Sequence, residues 1–171
     1  MVTRKGSAVT EEDWGAEDIG RCVPALRVAN RGLTVLFYAA YGALLVLAGF
    51  QHPLWLVPLA GVPAAAFVLV SLVRRRLNAP RPYDNGGPAP LIPREGDGCS
   101  FPSRHAFSAF AIAGCWCALS VPVALALMAC AAALSWCRVL GGVHFPRDVV
   151  AGAFVGLAAG LAAWACVLAL G

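Results

Sequence analysis

Three long stretches without a charged side chain constrain the fold of this chain more than any other feature. Residues 32–73, 105–137 and 149–171 contain no Asp, Glu, Lys or Arg. Charged residues make up only 13% of the 171 positions and hydrophobic residues 60%, whereas a soluble domain is about a quarter charged. Because a membrane-spanning helix needs about 20 mostly apolar residues, the stretches predict an integral membrane protein.

Breaks inside these stretches divide them into five helices. Gln51-His52-Pro53 interrupts the first stretch, and Ser120-Val121-Pro122 interrupts the second. A single kinked helix is the alternative for the second stretch, but only two crossings return the chain to the face from which it started. We therefore predict an all-α integral membrane bundle of about five transmembrane helices, with a membrane domain over residues 32–171.

The N-terminal segment, residues 1–31, is polar and of mixed charge, and it lacks the apolar core of a signal peptide. Apolar side chains such as Trp14, Ile19 and Leu26 occur among its charges. That mixture is typical of a helix that lies at the membrane interface rather than crossing it. We therefore predict an interfacial helix in front of the membrane domain.

Charged and polar residues concentrate in three short motifs at the boundaries of the apolar stretches. Charges at the edge of hydrocarbon are costly and usually functional. Guanidinium groups match the oxygens of a phosphate, and a histidine with a nearby carboxylate is the usual form of an activated imidazole. The motifs are Arg74-x6-Arg81-Pro82, Pro102-Ser103-Arg104-His105 and Arg138-x5-His144-x3-Asp148.

These motifs resemble the signature motifs of the type 2 phosphatidic acid phosphatase superfamily, also called lipid phosphate phosphatases. In that family the motifs read Lys-x6-Arg-Pro, Pro-Ser-Gly-His and Ser-Arg-x5-His-x3-Asp, and all three spacings match in order across residues 74–148. This chain departs at three positions, where Arg74 replaces lysine, Arg104 replaces glycine and Cys137 replaces serine. The first change keeps a charge, the second adds one, and the third removes a hydroxyl.

The phosphate-binding residues are expected to be Arg74, Arg81, Arg138 and Ser103. The arginines would hold the phosphoryl oxygens and stabilise charge in the transition state. Ser103 is expected to be the N-cap of the third helix, whose free N–H groups attract an anion. Arg104 either faces water and lipid phosphate or reaches a second phosphate or a phosphosugar.

The catalytic residues are expected to be His105, His144 and Asp148. The resemblance implies that His144 attacks phosphorus and forms a phosphohistidine that water then hydrolyses. Asp148 would accept the other imidazole N–H, as in a serine-protease triad, although a plain N-cap of the fifth helix is its alternative role. His105 is the expected general acid for the leaving oxygen.

The expected function is hydrolysis of a phosphomonoester or diphosphate on a lipid. Candidate substrates are a polyprenyl diphosphate, a prenyl-phosphosugar phosphate, phosphatidylglycerophosphate and phosphatidic acid. Vanadate-dependent haloperoxidases share this pocket but look soluble and much larger. A membrane transporter or anion-binding protein with an arginine-lined vestibule is the alternative outside enzymes.

Lipid phosphates and membrane lipids are the expected partners. We expect no nucleic-acid partner, because the arginines are not interleaved with exposed aromatic residues. No cofactor is expected, and no metal, since no set of carboxylates resembles a magnesium or zinc cage.

The distribution of basic residues bears on orientation in the cell (inner) membrane. With five spans, all 13 Lys and Arg residues lie on the side that carries the motifs. Basic residues near spans favour the cytoplasm, which predicts an active site on the cytoplasmic face. The resemblance points the other way, because many bacterial members of the family work on the outer face.

Overall fold

The protein is a helical bundle throughout the part of the chain that the computed structural model describes. That part comprises residues 11–93, 96 and 98–170, without the side chains of residues 11–21 and 85. It contains no strand, so the predicted all-α fold is confirmed. The five α-helices of this part are α1 (Glu11–Gln51), α2 (Leu56–Leu77), α3 (Arg104–Cys115), α4 (Val121–Leu140) and α5 (Pro146–Leu170).

Four of these helices provide segments long and apolar enough to cross a membrane: Cys22–Gln51, Pro53–Leu77, Val121–Leu140 and Pro146–Leu170. Large apolar side chains cover their outer faces, as at Phe50 and Phe154, which are 85% and 72% exposed. The predicted breaks at residues 51–53 and 120–122 are both present. The structure thus supports a membrane bundle whose surface meets lipid.

The predicted interfacial helix is not a separate element. Helix α1 runs without interruption from Glu11 to Gln51, so the predicted boundary at residue 31 falls inside it. Gly32 costs a helix only about 1 kcal/mol, and Pro24 lies inside α1 without ending it. Packing also holds the extension in line, because Leu26 contacts the buried cluster around Ile92. Residues 1–10 of this segment lie outside the described residues.

Helix α3 is the centre of the bundle and its shortest helix. Its 12 residues rise about 18 Å, and a single 3₁₀ turn, Trp116–Ala118, extends it. Most of its side chains are buried, and it packs most extensively against α5. The other four helices surround it, so its polar N-terminus is held at one end of the bundle.

Glycines let α5 approach α3 until the two backbones touch. A Cβ at Gly156 would overlap the carbonyl oxygen of Phe107, and one at Gly152 would overlap that of Ser103. Further along, a Cβ at Gly114 would lie 3.0 Å from Cα of Gly160. Small residues thus allow close packing of α3 and α5, as in other membrane helix pairs.

Gly156→Val should destabilise the folded protein while leaving its helix content similar. Overpacking a tight contact costs about 1–3 kcal/mol or more, which in a chain of this size lowers Tm by roughly 2–4 °C per kcal/mol. We therefore expect thermal unfolding in detergent to show a drop in Tm of roughly 2–12 °C. Gly42→Val is the matched control, because a Cβ at Gly42 would meet nothing within 4 Å. Equal drops in both variants would contradict the role of this contact.

Candidate active site

The three sequence motifs come together at the end of the bundle where α3 begins. Arg74, in the last turn of α2, donates a hydrogen bond of 2.5 Å from Nη1 to the carbonyl oxygen of Pro102. The backbone N–H of Ser103 donates to the carbonyl oxygen of Asp148 in α5, at 2.8 Å. These two bonds join the first motif to the second and the second to the third.

A buried histidine and carboxylate form the centre of the site. His144 follows the turn at Gly142, whose φ of +70° glycine adopts readily. Its Nδ1 lies 3.5 Å from Oδ2 of Asp148, and both side chains are fully buried. The same carboxylate oxygen accepts a 3.0 Å hydrogen bond from the N–H of Phe145. The carboxylate is thus fixed beside the imidazole.

Asp148 is not the N-cap of α5, the alternative considered from the sequence. The helix begins two residues earlier, at Pro146, a favoured residue for a first helical position. The Asp148 carboxylate instead reaches back to the N–H of Phe145, the residue before the helix. A carboxylate at this third position supports the helix start and still faces His144.

Ser100 completes this group, and sequence reasoning missed it. Its buried hydroxyl donates to Oδ2 of Asp148 at 2.5 Å and lies 3.3 Å from Nδ1 of His144. Because a hydroxyl has one proton, the oxygen that donates to the carboxylate must accept from the imidazole. The arrangement therefore favours the tautomer with hydrogen on Nδ1, which leaves the lone pair on Nε2. The only sequence signal was a serine three residues before Ser103.

The three arginines of the first and third motifs are buried. Arg74, Arg81 and Arg138 are 2–3% exposed. Arg81 donates to the carbonyl oxygens of Gly98, at 2.9 Å, and Val143, at 3.2 Å. These bonds fix its guanidinium beside the residue that precedes His144.

Helix α1 contributes to the same end of the bundle, where Arg138 donates to Oδ1 of Asn30 at 3.4 Å. Within the described part of the chain, Arg74, Arg81 and Arg138 are buried and Asp148 is the only buried carboxylate. Guanidinium groups attract a phosphate oxyanion, so this end of the bundle suits a bound anion.

The N-terminus of α3 places its polar residues in different surroundings. Ser103 is buried and caps the helix, with its Oγ accepting from the N–H of Ala106 at 3.5 Å, so the predicted N-cap is confirmed. Arg104 is exposed and His105 is partly buried. Both line a cavity of about 300 Å³ that runs between α1 and α3 and is walled mainly by apolar side chains.

The long segment between α2 and α3 is tied to the site. Oδ2 of Asp84 accepts the backbone N–H groups of Arg81, at 2.7 Å, and of Gly98, at 3.0 Å. Ile92 is buried against Val143. Arg27 of α1 holds the segment from outside, donating at 2.7 Å to the carbonyl oxygen of Leu91. The described part of this segment, which excludes residues 94, 95 and 97, therefore forms one wall of the site.

The arrangement has the parts needed for phosphoryl transfer. Buried guanidinium groups and a helix N-terminus can hold a tetrahedral oxyanion. A hydrogen-bonded carboxylate and imidazole can supply a nucleophile or base. Across the residues that the structure describes, no three His, Cys, Asp or Glu side chains come together as a metal site would require.

Comparisons with known proteins agree with this geometry. The fold is similar to the crystal structure of Aquifex aeolicus LpxE, with 26% identity, a TM-score of 0.61, and coverage of 82% of this chain and 92% of that one. It is also similar to the transmembrane PAP2 type phosphatidylglycerolphosphate phosphatase from Bacillus subtilis, with 20% identity, a TM-score of 0.70, and coverage of 95% and 89%. No curated protein matches the sequence. The sequence model of the PAP2 superfamily matches residues 55–171, and the chain therefore belongs to the PAP2 superfamily.

Proposed function

We propose that this membrane phosphatase hydrolyses a phosphomonoester or diphosphate of a lipid through a phosphohistidine on His144. The observation that carries the proposal is the buried group of Ser100, His144 and Asp148, at the end of the bundle where three arginines are also buried. A purely structural histidine would not need an oriented carboxylate beside it and three buried arginines at the same end of the bundle. The classes of substrate remain those of the sequence analysis, from prenyl diphosphates to phosphatidic acid.

In the proposed reaction, Nε2 of His144 attacks phosphorus in line with the leaving oxygen. The bond from phosphorus to that oxygen breaks, and His105 donates a proton to it. Water then attacks the phosphohistidine, which releases orthophosphate and restores the imidazole. Asp148 and Ser100 hold the Nδ1–H tautomer while the buried arginines stabilise the phosphoryl oxygens.

We also propose that the reaction needs no divalent metal, because the arginines perform the electrostatic work that a metal would otherwise do. The purified protein in detergent should release phosphate from a short-chain lipid phosphate in the presence of excess EDTA. Orthovanadate, which mimics phosphate, should inhibit that release. Loss of activity on chelation with recovery on adding Mg²⁺ would overturn metal independence. Anion binding without any phosphate release would instead favour the alternative function, that of a membrane transporter or anion-binding protein.

The proposed orientation places the active site on the cytoplasmic face of the cell membrane. The polar ends of the five helices meet at one end of the bundle, which is also the end of all the basic residues in the described part of the chain. Pro88→Cys should test this in a variant that carries Cys22→Ser, Cys99→Ser and Cys166→Ser. A membrane-impermeant maleimide should label this cysteine only after the cells are permeabilised, whereas labelling of intact cells would place the site outside.

A further inference from the structure

We propose that Arg104 binds the phosphate that stays on the lipid after cleavage, which makes a lipid diphosphate the preferred substrate. This inference rests on the proposed function and adds a substrate class to it. Its basis is the position of Arg104 beside His105, on the wall of the cavity rather than among the buried arginines.

Arg104 differs from the other arginines of the motifs in its surroundings. Arg74, Arg81 and Arg138 are buried, and each donates to an oxygen of the protein. Arg104 is exposed, and no residue in 11–93, 96 or 98–170 forms a hydrogen bond or ion pair with it. Its guanidinium therefore has all its donors available for an external anion.

The cavity beside Arg104 has the properties of a leaving-group site. A general acid must lie on the side of the leaving oxygen, and His105 lines this cavity. The cavity is also lined by the apolar side chains of Phe37, Ile112 and Leu134. Ile112 lies seven residues beyond His105 on α3, or about 10 Å deeper. A volume of about 300 Å³ is at the lower end of ligand pockets and suits the first part of one lipid chain.

The charge of the leaving group then decides between substrate classes. When a lipid monophosphate is cleaved, the leaving group is a neutral alcohol, which offers nothing to a guanidinium. When a lipid diphosphate is cleaved, His144 takes the terminal phosphoryl group and the bond to the bridging oxygen breaks. Its electron pair stays on that oxygen, and the leaving group is the lipid monophosphate. Arg104 can bind that anion and stabilise the charge that develops on it.

The test compares farnesyl diphosphate with farnesyl monophosphate, because both carry the same chain. The wild-type protein should show the higher kcat/KM on the diphosphate. Arg104→Gln should lower the ratio of the two kcat/KM values about 10- to 100-fold, the range for loss of a charged hydrogen bond. Arg104→Lys should keep most of the ratio, because it keeps the charge.

Arg76→Gln is the matched control, since Arg76 is an exposed arginine at the same end of the bundle but outside the motifs. The ratio of its kcat/KM values on the diphosphate and the monophosphate should equal that of the wild-type protein. The inference is overturned if Arg104→Gln leaves the ratio unchanged, if both variants lower it equally, or if the wild-type protein prefers the monophosphate. Failure to hydrolyse any lipid phosphate would instead count against the proposed function itself.

Discussion

Replacing His144 with alanine should lower kcat about 10⁴- to 10⁶-fold, the loss seen when a nucleophile is removed from a catalytic group that acts as a unit. The imidazole is fully buried beside Asp148, and alanine has no nitrogen lone pair with which to attack phosphorus. Phosphate release by the purified variant, measured under single-turnover conditions, gives the loss in the chemical step.

The control for this variant is His52→Ala, because His52 lies in the turn between α1 and α2 and stacks on Trp55. Its activity should stay within about twofold of the wild-type value, as expected for a surface change away from the site. Substantial activity in a folded His144→Ala protein would remove His144 from the role of nucleophile. An equal loss in His52→Ala would point to damage of the fold instead.

Asp148→Asn should lower kcat about 10⁴-fold, as loss of the carboxylate does in comparable triads. An amide in its place can present N–H to the imidazole, which favours the tautomer with hydrogen on Nε2 and blocks attack.

Ser100→Ala should lower kcat by a smaller factor, about 10- to 100-fold, because the carboxylate still faces His144 at 3.5 Å. Ser100→Thr should recover part of this loss, since it restores the hydroxyl.

The measurement is kcat and KM for each variant, with KM expected to change little because these residues orient the nucleophile rather than hold the substrate. Ser120→Ala serves as the control serine, since its side chain makes no capping bond at the start of α4. If Ser100→Ala behaved like Ser120→Ala, or if Asp148→Asn kept full activity, the proposed orientation of His144 would be wrong.

The sequence predicted the fold and the family because those depend on local signals. Charge-free stretches of sufficient length indicate helices in a membrane, and the breaks at Pro53 and Ser120 are local as well. The positions of Arg74, His105 and Asp148 in the motifs were equally readable. Their common location in space follows from the number of crossings, which returns each motif to the same end of the bundle.

Two features could not be read in this way. Ser100 lies 44 and 48 positions before His144 and Asp148 in the sequence, and no pattern distinguishes it from other loop serines. The continuity of α1 depends on packing, because Leu26 contacts the cluster around Ile92 and Arg27 bonds Leu91. Polar composition alone favoured an interfacial helix at residues 11–31, and tertiary contacts overrode it.

The shortness of α3 constrains the order in which the protein assembles in its membrane. With only 12 residues, α3 is well below the length needed for stable insertion by itself. Its main neighbour is α5, whose glycines at 152 and 156 receive its backbone, yet α5 is synthesised after both α3 and α4. The N-terminus of α3 therefore cannot form its contacts with α5, including the hydrogen bond from Ser103 to Asp148, until α5 has been synthesised. A nascent chain that still lacks α5 therefore contains membrane-spanning helices but no complete active site.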